Sequence, residues 1–233
     1  MSVSQYPDWQ WDEMLQVGTD YTDLAEISAY DARMASFRDV DAENKAILDL
    51  LDLPAGAAVL EIGCGTGRFA RTAAGAGYSV TAIDVSAKML EFVRGRAEEE
   101  CLPEIATFHA GFLTMEFPES HFDAVLSVAA LHHLPDAWKL VALRNVFRIL
   151  KPGGKLLLRD VVFVLGDDGT PEACFERFVG GFPQMRVEVA RHVAREFSTY
   201  DWIMDGLLER ARFEILAKKY PGDSFAEYLC VKP

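Results

Sequence analysis

The sequence predicts an α/β fold: a mostly parallel sheet of seven strands, helices on both faces, an antiparallel last strand and a small helical cap. Three observations carry this. Short apolar runs alternate with helix-period stretches almost from end to end, the pattern of parallel strands joined by crossover helices. The apolar run 58–62 is followed at once by a glycine-rich loop and an amphipathic stretch. The final two runs, 213–218 and 225–231, flank the turn sequence Tyr220-Pro221-Gly222-Asp223 and therefore read as a hairpin closing the sheet.

The stretch up to Phe37 is acidic and aromatic, with Tyr6, Trp9, Trp11, Tyr21 and Tyr30, and reads as one or two short helices over the main body. Asp41 is the expected cap of a helix with Ala46, Ile47, Leu50 and Leu51 at helical spacing, ended by Pro54-Ala55-Gly56. The first strand, 58–62, does not alternate and is expected to be buried on both faces. A helix over 66–76 follows, then a strand over 79–83 ending at Asp84. Ser86 is placed to cap the next helix, which runs to about residue 100 with Met89, Leu90 and Val93 inward. A third strand lies near 105–108 and a fourth at 122–128. Leu131-His132-His133-Leu134-Pro135 leads into a helix over 136–150, Lys151-Pro152-Gly153-Gly154 is a stop, and 155–164 is a fifth strand. Phe175, Phe178 and Phe182 then recur at helical spacing between Pro171 and Pro183. A second helical stretch covers 185–197, and Ser198 is expected to cap a third that runs to about 211.

Composition excludes several classes. Of 233 residues half are hydrophobic and a quarter charged, enough for one well-buried core. The formal net charge of -13 lacks the basic surplus that neutralises phosphates, so nucleic acid is not expected as a partner. The first residues show no basic segment followed by an apolar one, and no run reaches the roughly 20 apolar residues that span a bilayer. Four scattered cysteines without a CxxC pair argue against a cysteine zinc site and a disulfide framework; no metal ligand set is assigned, and the expected compartment is the cytoplasm.

The loop Glu61-Ile62-Gly63-Cys64-Gly65-Thr66-Gly67 sits where open α/β sheets bind ligands, beyond the carboxyl end of a strand. A phosphate-cradling loop needs GxxxxGK, and the lysine is missing. A dinucleotide loop needs GxGxxG, and counting from Gly63 the last glycine position holds Arg68. A purely structural turn would also tolerate glycine. Three alternating glycines with acids ending two neighbouring strands, Glu61 and Asp84, favour a ligand lying on the backbone.

These residues, with Phe122-Asp123-Ala124-Val125-Leu126-Ser127 and Lys151-Pro152-Gly153-Gly154-Lys155-Leu156, resemble the class I S-adenosylmethionine-dependent methyltransferases. The similarity covers about 41–160, and the four segments in this order are far more specific than the glycines alone. It implies a Rossmann-like sheet and S-adenosylmethionine as cofactor with S-adenosylhomocysteine as product; the leading expectation for the acceptor is a small molecule with an O, N or C nucleophile that the sequence does not name, and a protein acceptor stays open. It also implies site roles. Gly63, Cys64, Gly65 and Gly67 would lie against the amino-acid portion of the cofactor, and Glu61 near its ammonium and sulfonium. Asp84 would accept the ribose hydroxyls, with helix capping as its structural alternative. Val85 and Met89 would line the adenine pocket, and Ser127 would face the same site. After the third strand the family often carries an acid that bonds the adenine amino group; here His109-Ala110-Gly111-Phe112 lacks it, leaving Gly111 and Phe112 to hold the ring.

Methyl transfer needs a general base only where the acceptor keeps its proton. His132 is the better-placed candidate, with a pocket-shaping role as its alternative; His133 reads as structural. Arg159-Asp160 at the end of the fifth strand is a candidate for catalysis or polar-substrate binding, or else a surface ion pair, and His192 reads as a solvated helix residue. Substrate choice is assigned to the helical lid region 1–40 and to a cap insertion over about 166–197 of the methyltransferase domain 41–233; Tyr30 and Met34 are expected to fold over the cofactor as a lid, with Tyr30 contacting it. Two other readings stay open: a non-catalytic S-adenosylmethionine-binding protein and a nicotinamide-dependent oxidoreductase. Oligomeric state is not legible.

Overall fold

A computed structural model describes residues 7–15, 39–165, 169–221 and 225–233. Its strands are β1 (Ala58–Ile62), β2 (Ser79–Asp84), β3 (Ala106–His109), β4 (Phe122–Val128), β5 (Leu150–Phe163), β6 (Thr199–Tyr200), β7 (Glu214–Lys219) and β8 (Phe225–Val231). Its helices are α1 (Val40–Leu51), α2 (Arg68–Gly75), α3 (Ala87–Glu99), α4 (Asp136–Ile149), α5 (Pro171–Gly181), α6 (Arg186–Arg195) and α7 (Asp201–Arg210), with 3₁₀ turns at Leu131–His133 and Pro183–Met185. The sheet order is β3-β2-β1-β4-β5-β8-β7, with β6 paired to β5. All neighbours run parallel except β5–β8 and β7–β8. The expected seven strands and antiparallel last strand are present, and the two-residue β6 is an eighth.

Alternation along the strands separates two cores. Val59, Val80, Ala82, Leu126 and Leu157 face one side and pack on α1, α2 and α3 through Ile47, Leu51, Phe69, Leu90 and Val93. Leu60, Ile62, Ile83, Val125, Leu156 and Tyr228 face the other and pack on α4 and α7. A third, smaller cluster joins Val161 and Phe163 to Cys174, Phe178, Val179 and Val189, so the phenylalanine stripe anchors α5 and α6 to the body. Among the described residues no helix is long and apolar enough to cross a membrane.

Several local expectations are corrected. Asp39 accepts the Ala42 N–H and caps α1, whereas Asp41 lies within the first turn and pairs with Arg68. The helix after β1 begins at Arg68, because Gly67 adopts a left-handed φ of 71° that a helix cannot contain. Ser198 caps no helix; α7 starts after Tyr200, and the Ser198 hydroxyl meets His192 Nε2 at 2.9 Å. The helix expected over 185–197 starts at Arg186, directly after the 3₁₀ turn Pro183–Met185, and ends at Arg195. The helix over 136–150 ends at Ile149, as the stop Lys151-Pro152-Gly153-Gly154 predicts, but that segment is already the irregular start of β5: Phe122 pairs with Leu150 and Ala124 with Lys155. Gly153 takes φ 76° there, and a Cβ on Gly154 would lie 2.8 Å from the Lys151 carbonyl. Asp123 anchors this corner, accepting the Ala58 N–H at 2.8 Å and pairing with Lys151. Two segments behind the sequence resemblance thus serve the sheet rather than a ligand.

Candidate functional site

The sheet order places β1 between β2 and β4, so the chain leaves β1 to one side and returns to the other. A crevice opens at that reversal, beyond the carboxyl ends of the strands. A cleft of about 250 Å³ lies there, bounded by the loop 61–66, the end of β2, the loop after β3, the segment 128–134 and α1.

The three glycines of the loop do different work. All have positive φ, which a side chain resists. A Cβ on Gly63 would stand 2.5 Å from the Ala130 Cβ, so Gly63 lets the loop close on the segment after β4. A Cβ on Gly67 would come within 2.6 Å of a Val93 methyl, so Gly67 lets α2 pack on α3. Gly65 alone meets nothing within 4 Å and lines the cleft. Only there does open room remain for a ligand to rest on the backbone.

Two acids flank that space. Asp84 Oδ2 accepts the Gly65 N–H at 2.9 Å and Oδ1 the Ser86 N–H at 2.8 Å, so the aspartate shapes the loop while still lining the cleft. Ser86 accepts the Met89 N–H and caps α3, so Asp84 does not need to. Burial raises the Asp84 pKa, against these backbone hydrogen bonds. Glu61 accepts the Ala70 N–H at 3.0 Å. Burial pushes its pKa up to about 8, opposed by that hydrogen bond and reinforced by the Asp84 charge. At that value the free carboxyl is mostly protonated at neutral pH, and a cation bound beside it would draw it into the charged form. Burial also raises the Cys64 thiol, with the charges of Asp84 and Glu61 adding to the effect.

Of the residues expected around a cofactor, Glu61, Gly63, Cys64, Gly65, Asp84, Val85, Met89, Gly111 and Phe112 line this one cleft. Gly67 and Ser127 do not; Ser127 is fully buried and donates to the Ile62 carbonyl, tying β4 to β1. Tyr30 and Met34 lie outside the described residues.

The histidines exchange their expected positions. His132 is buried off the cleft, with Nδ1 2.5 Å from Asp160 and Nε2 3.1 Å from Glu196. Burial opposes its charge, but the two carboxylates outweigh burial and push its pKa up to about 9. Asp160 also accepts the backbone N–H groups of Leu131, His132 and Val161, and His132 holds its pKa low despite burial. His133 is the imidazole that lines the cleft; burial, then the charge of His132, push its pKa down to about 4. Arg159 reaches the cleft as well, yet its guanidinium is paired with Glu43 and Glu227. Neighbours along a strand face opposite ways, which is why Arg159 and Asp160 do not share a site.

Sequence reasoning missed Glu13. Its Oε1 accepts the Leu113 N–H and the Thr114 hydroxyl, both at 2.8 Å, so this buried acid fills the turn after β3 where the neighbouring sequence carries none. Burial raises its pKa against those hydrogen bonds. A Cβ on Gly111 would lie 2.5 Å from this carboxyl group, so Gly111 is the space Glu13 occupies. Trp9 stacking on Trp138 and Trp11 edge-on to Phe197 hold the same segment down. Charge-assisted hydrogen bonds of this kind are worth about 1.5–3 kcal/mol less the cost of burial. Glu13→Ala and Gly111→Ala are each expected to destabilise the protein by about 1–2 kcal/mol, and the double variant by little more than either alone. Thermal unfolding of the four proteins decides this; full additivity would mean the two residues act separately. No signal adjacent to Gly111 could have revealed the contact, because about 100 residues separate the partners.

A family model described as a methyltransferase domain matches residues 59–154. The 27-O-demethylrifamycin SV methyltransferase of Amycolatopsis mediterranei (strain S699) is 37% identical over 130 residues, which span 55% of this chain and only 47% of that protein. An uncharacterized methyltransferase of Geobacillus kaustophilus (strain HTA426) is 33% identical over 153 residues, covering 63% of this chain and 69% of that one. Among solved structures, a SAM-dependent methyltransferase from Aquifex aeolicus superposes with a TM-score of 0.65 at 18% identity, over 91% of this chain and 99% of that one.

Proposed function

The chain belongs to the class I S-adenosylmethionine-dependent methyltransferase family, and on that premise we propose that it methylates a hydroxyl group of a small molecule by in-line displacement. The observation that carries this reading is the open space over Gly65, bracketed by the acids that end β1 and β2. A glycine with room above it, beside one carboxylate suited to a cation and another with unused lone pairs, fits S-adenosylmethionine.

The bound cofactor supplies a methyl group activated on a sulfonium. The protein's share is binding, orientation and exclusion of water, and orientation alone is worth up to roughly 7–11 kcal/mol of barrier. In this reading Glu61 faces the positive charge of the cofactor and Asp84 accepts the ribose hydroxyls through lone pairs that Gly65 and Ser86 leave free. Val85, Met89 and Phe112 flank the adenine. His133 is uncharged at neutral pH and too weak a base to keep a proton there. It accepts a hydrogen bond from the acceptor hydroxyl and aims the oxygen; as the new C–O bond forms and the C–S bond breaks, the hydroxyl proton passes by way of this imidazole to solvent. Support for an oxygen nucleophile comes from this imidazole and from the name of the Amycolatopsis relative, which places its own methylation on an oxygen. The segment around Glu13 lines the cleft through Glu13 and Leu15 and, with the cap helices α5 and α6 that pack on the end of β5, is proposed to select the acceptor.

Thermal unfolding with S-adenosylmethionine, S-adenosylhomocysteine, NAD and ATP, each at 100 times its dissociation constant or at saturation, tests the premise for this chain. The two adenosyl compounds are expected to add about 2.7 kcal/mol, a rise on the order of 5–10 °C. NAD and ATP are expected to do nothing. A panel of hydroxyl, amine and carbon acceptors with radiolabelled methyl donor then tests the acceptor class; transfer confined to amines would overturn the hydroxyl reading.

A further inference from the structure

His192 and Glu196 stand four residues apart at the carboxyl end of α6, so their side chains leave the helix on one face. That face meets His132 in the 3₁₀ turn Leu131–His133. His132 Nε2, His192 Nδ1 and Glu196 Oε2 all lie within 4.8 Å of one another, with the carboxylate oxygen 3.1 Å from the first nitrogen and 2.5 Å from the second. None of the three lines the cleft or takes part in the methyl transfer described above.

From this convergence we propose that His132, His192 and Glu196 form a binding site for a divalent transition-metal ion of the zinc class. The outer partners support it. A metal-bound histidine donates its other ring N–H to a carboxylate, carbonyl or hydroxyl that fixes the tautomer. Both imidazoles have such a group on the far nitrogen: Asp160 on His132 Nδ1 at 2.5 Å, and Ser198 Oγ on His192 Nε2 at 2.9 Å. The inner nitrogens are thereby left to face one carboxylate oxygen. Two imidazoles with one carboxylate suit zinc and its borderline neighbours and not calcium or magnesium, which take oxygen donors. Asp160 and Glu196 also bring two negative charges into a buried place, matching a divalent ion.

Zinc bonds of about 2.0–2.2 Å in a tetrahedron set donors about 3.3–3.5 Å apart. The His132–Glu196 edge is already close, the His192–Glu196 edge must open by roughly 1 Å, and the two imidazole nitrogens, at most 4.8 Å apart, must close by no more than about 1.5 Å. Three protein donors leave a fourth position for solvent. The bound ion clasps α6 to the core, next to the points where the Phe197 N–H meets the His132 carbonyl and Lys139 meets the Phe197 carbonyl. The site uses no cysteine, so cysteine spacing could not disclose it.

The test strips the 233-residue chain with a chelator and titrates it with cobalt(II), then zinc(II). The expected result is one ion per chain, a visible cobalt absorption characteristic of four-coordination, displacement of cobalt by zinc, and a zinc-dependent rise in the unfolding midpoint. Glu196→Gln, close in shape and still able to hydrogen-bond, is expected to lose at least about 100-fold in zinc affinity. Ser198→Ala, which removes only an outer partner, is expected to lose about tenfold. Uptake that is absent, or unchanged in both variants, would overturn the site and leave a hydrogen-bonded Asp–His–Glu–His chain. S-adenosylmethionine binding, measured on the same stripped protein, reports separately on the proposed function.

Discussion

Gly65→Ala is expected to weaken S-adenosylmethionine binding by about 10–100-fold at a smaller cost to the fold, and Gly67→Ala to cost the fold more and binding less. Both residues lie in the left-handed region, so each substitution carries about 1–2 kcal/mol of backbone strain. They differ in what the new methyl group meets. At Gly65 it meets open cleft, so the remaining cost falls on the ligand: about 1–3 kcal/mol of steric conflict, at 1.4 kcal/mol per factor of ten. At Gly67 it meets both Val93 methyl groups, and about 1–3 kcal/mol of overpacking adds to the strain. A loss of about 3 kcal/mol lowers the midpoint by roughly 6–12 °C in a domain of this size. Val93→Ala in the Gly67→Ala background is expected to restore part of that loss. Calorimetric binding and thermal unfolding on the same preparations separate the cases; equal loss of affinity in both variants would show that the loop acts as one unit.

The second large effect is in pH. With Glu61 pushed up to about 8 in the free protein, a cationic ligand selects the ionised carboxylate, and binding at pH 6–7 releases a proton. Affinity for S-adenosylmethionine is therefore expected to rise with pH, by about 50-fold between pH 6 and pH 8 if the bound carboxyl is fully ionised at pH 6. Glu61→Gln, which can still accept the Ala70 N–H, is expected to bind weakly and without this dependence. The ratio of the two affinities isolates Glu61 from titration of the ligand. The effect on the free protein has the opposite sign. A carboxyl raised above its unfolded value contributes stability that is full below about pH 4.5 and is lost as pH rises through about 8. Unliganded Glu61→Gln is thus expected to melt above the natural protein at pH 8 and close to it at pH 5. A flat affinity profile in the natural protein would place the cofactor's positive charge away from Glu61.

Legibility from the sequence followed the range of the interactions. Strand and helix identity came from periodicities of 2 and 3.6 within a few residues, and they survived almost everywhere. The loop 61–67 and Asp84 were also readable, since a strand end fixes both the place and the direction of the residue that closes it. Errors arose where a choice depended on a distant partner. Asp39 and Asp41 are equally good caps by type, and only the pairing of Asp41 with Arg68 separates them. Ser198 reads as a cap until His192 takes its hydroxyl.

What local chemistry decided, then, is the α/β class, the order of its elements, and a glycine loop with an acid at the end of each of two neighbouring strands. Tertiary structure decided which groups share a space. It turned His133 rather than His132 into the cleft, brought Glu13 to Gly111 across about 100 residues, and gathered His132, His192 and Glu196 from a turn and a cap helix. The physical reason is that a side chain's direction at a strand end or within a single 3₁₀ turn changes completely with a shift of one residue, whereas the pattern that specifies the element barely changes. Burial then sets the chemistry, and the same imidazole type stands pushed up to about 9 at His132 and down to about 4 at its neighbour.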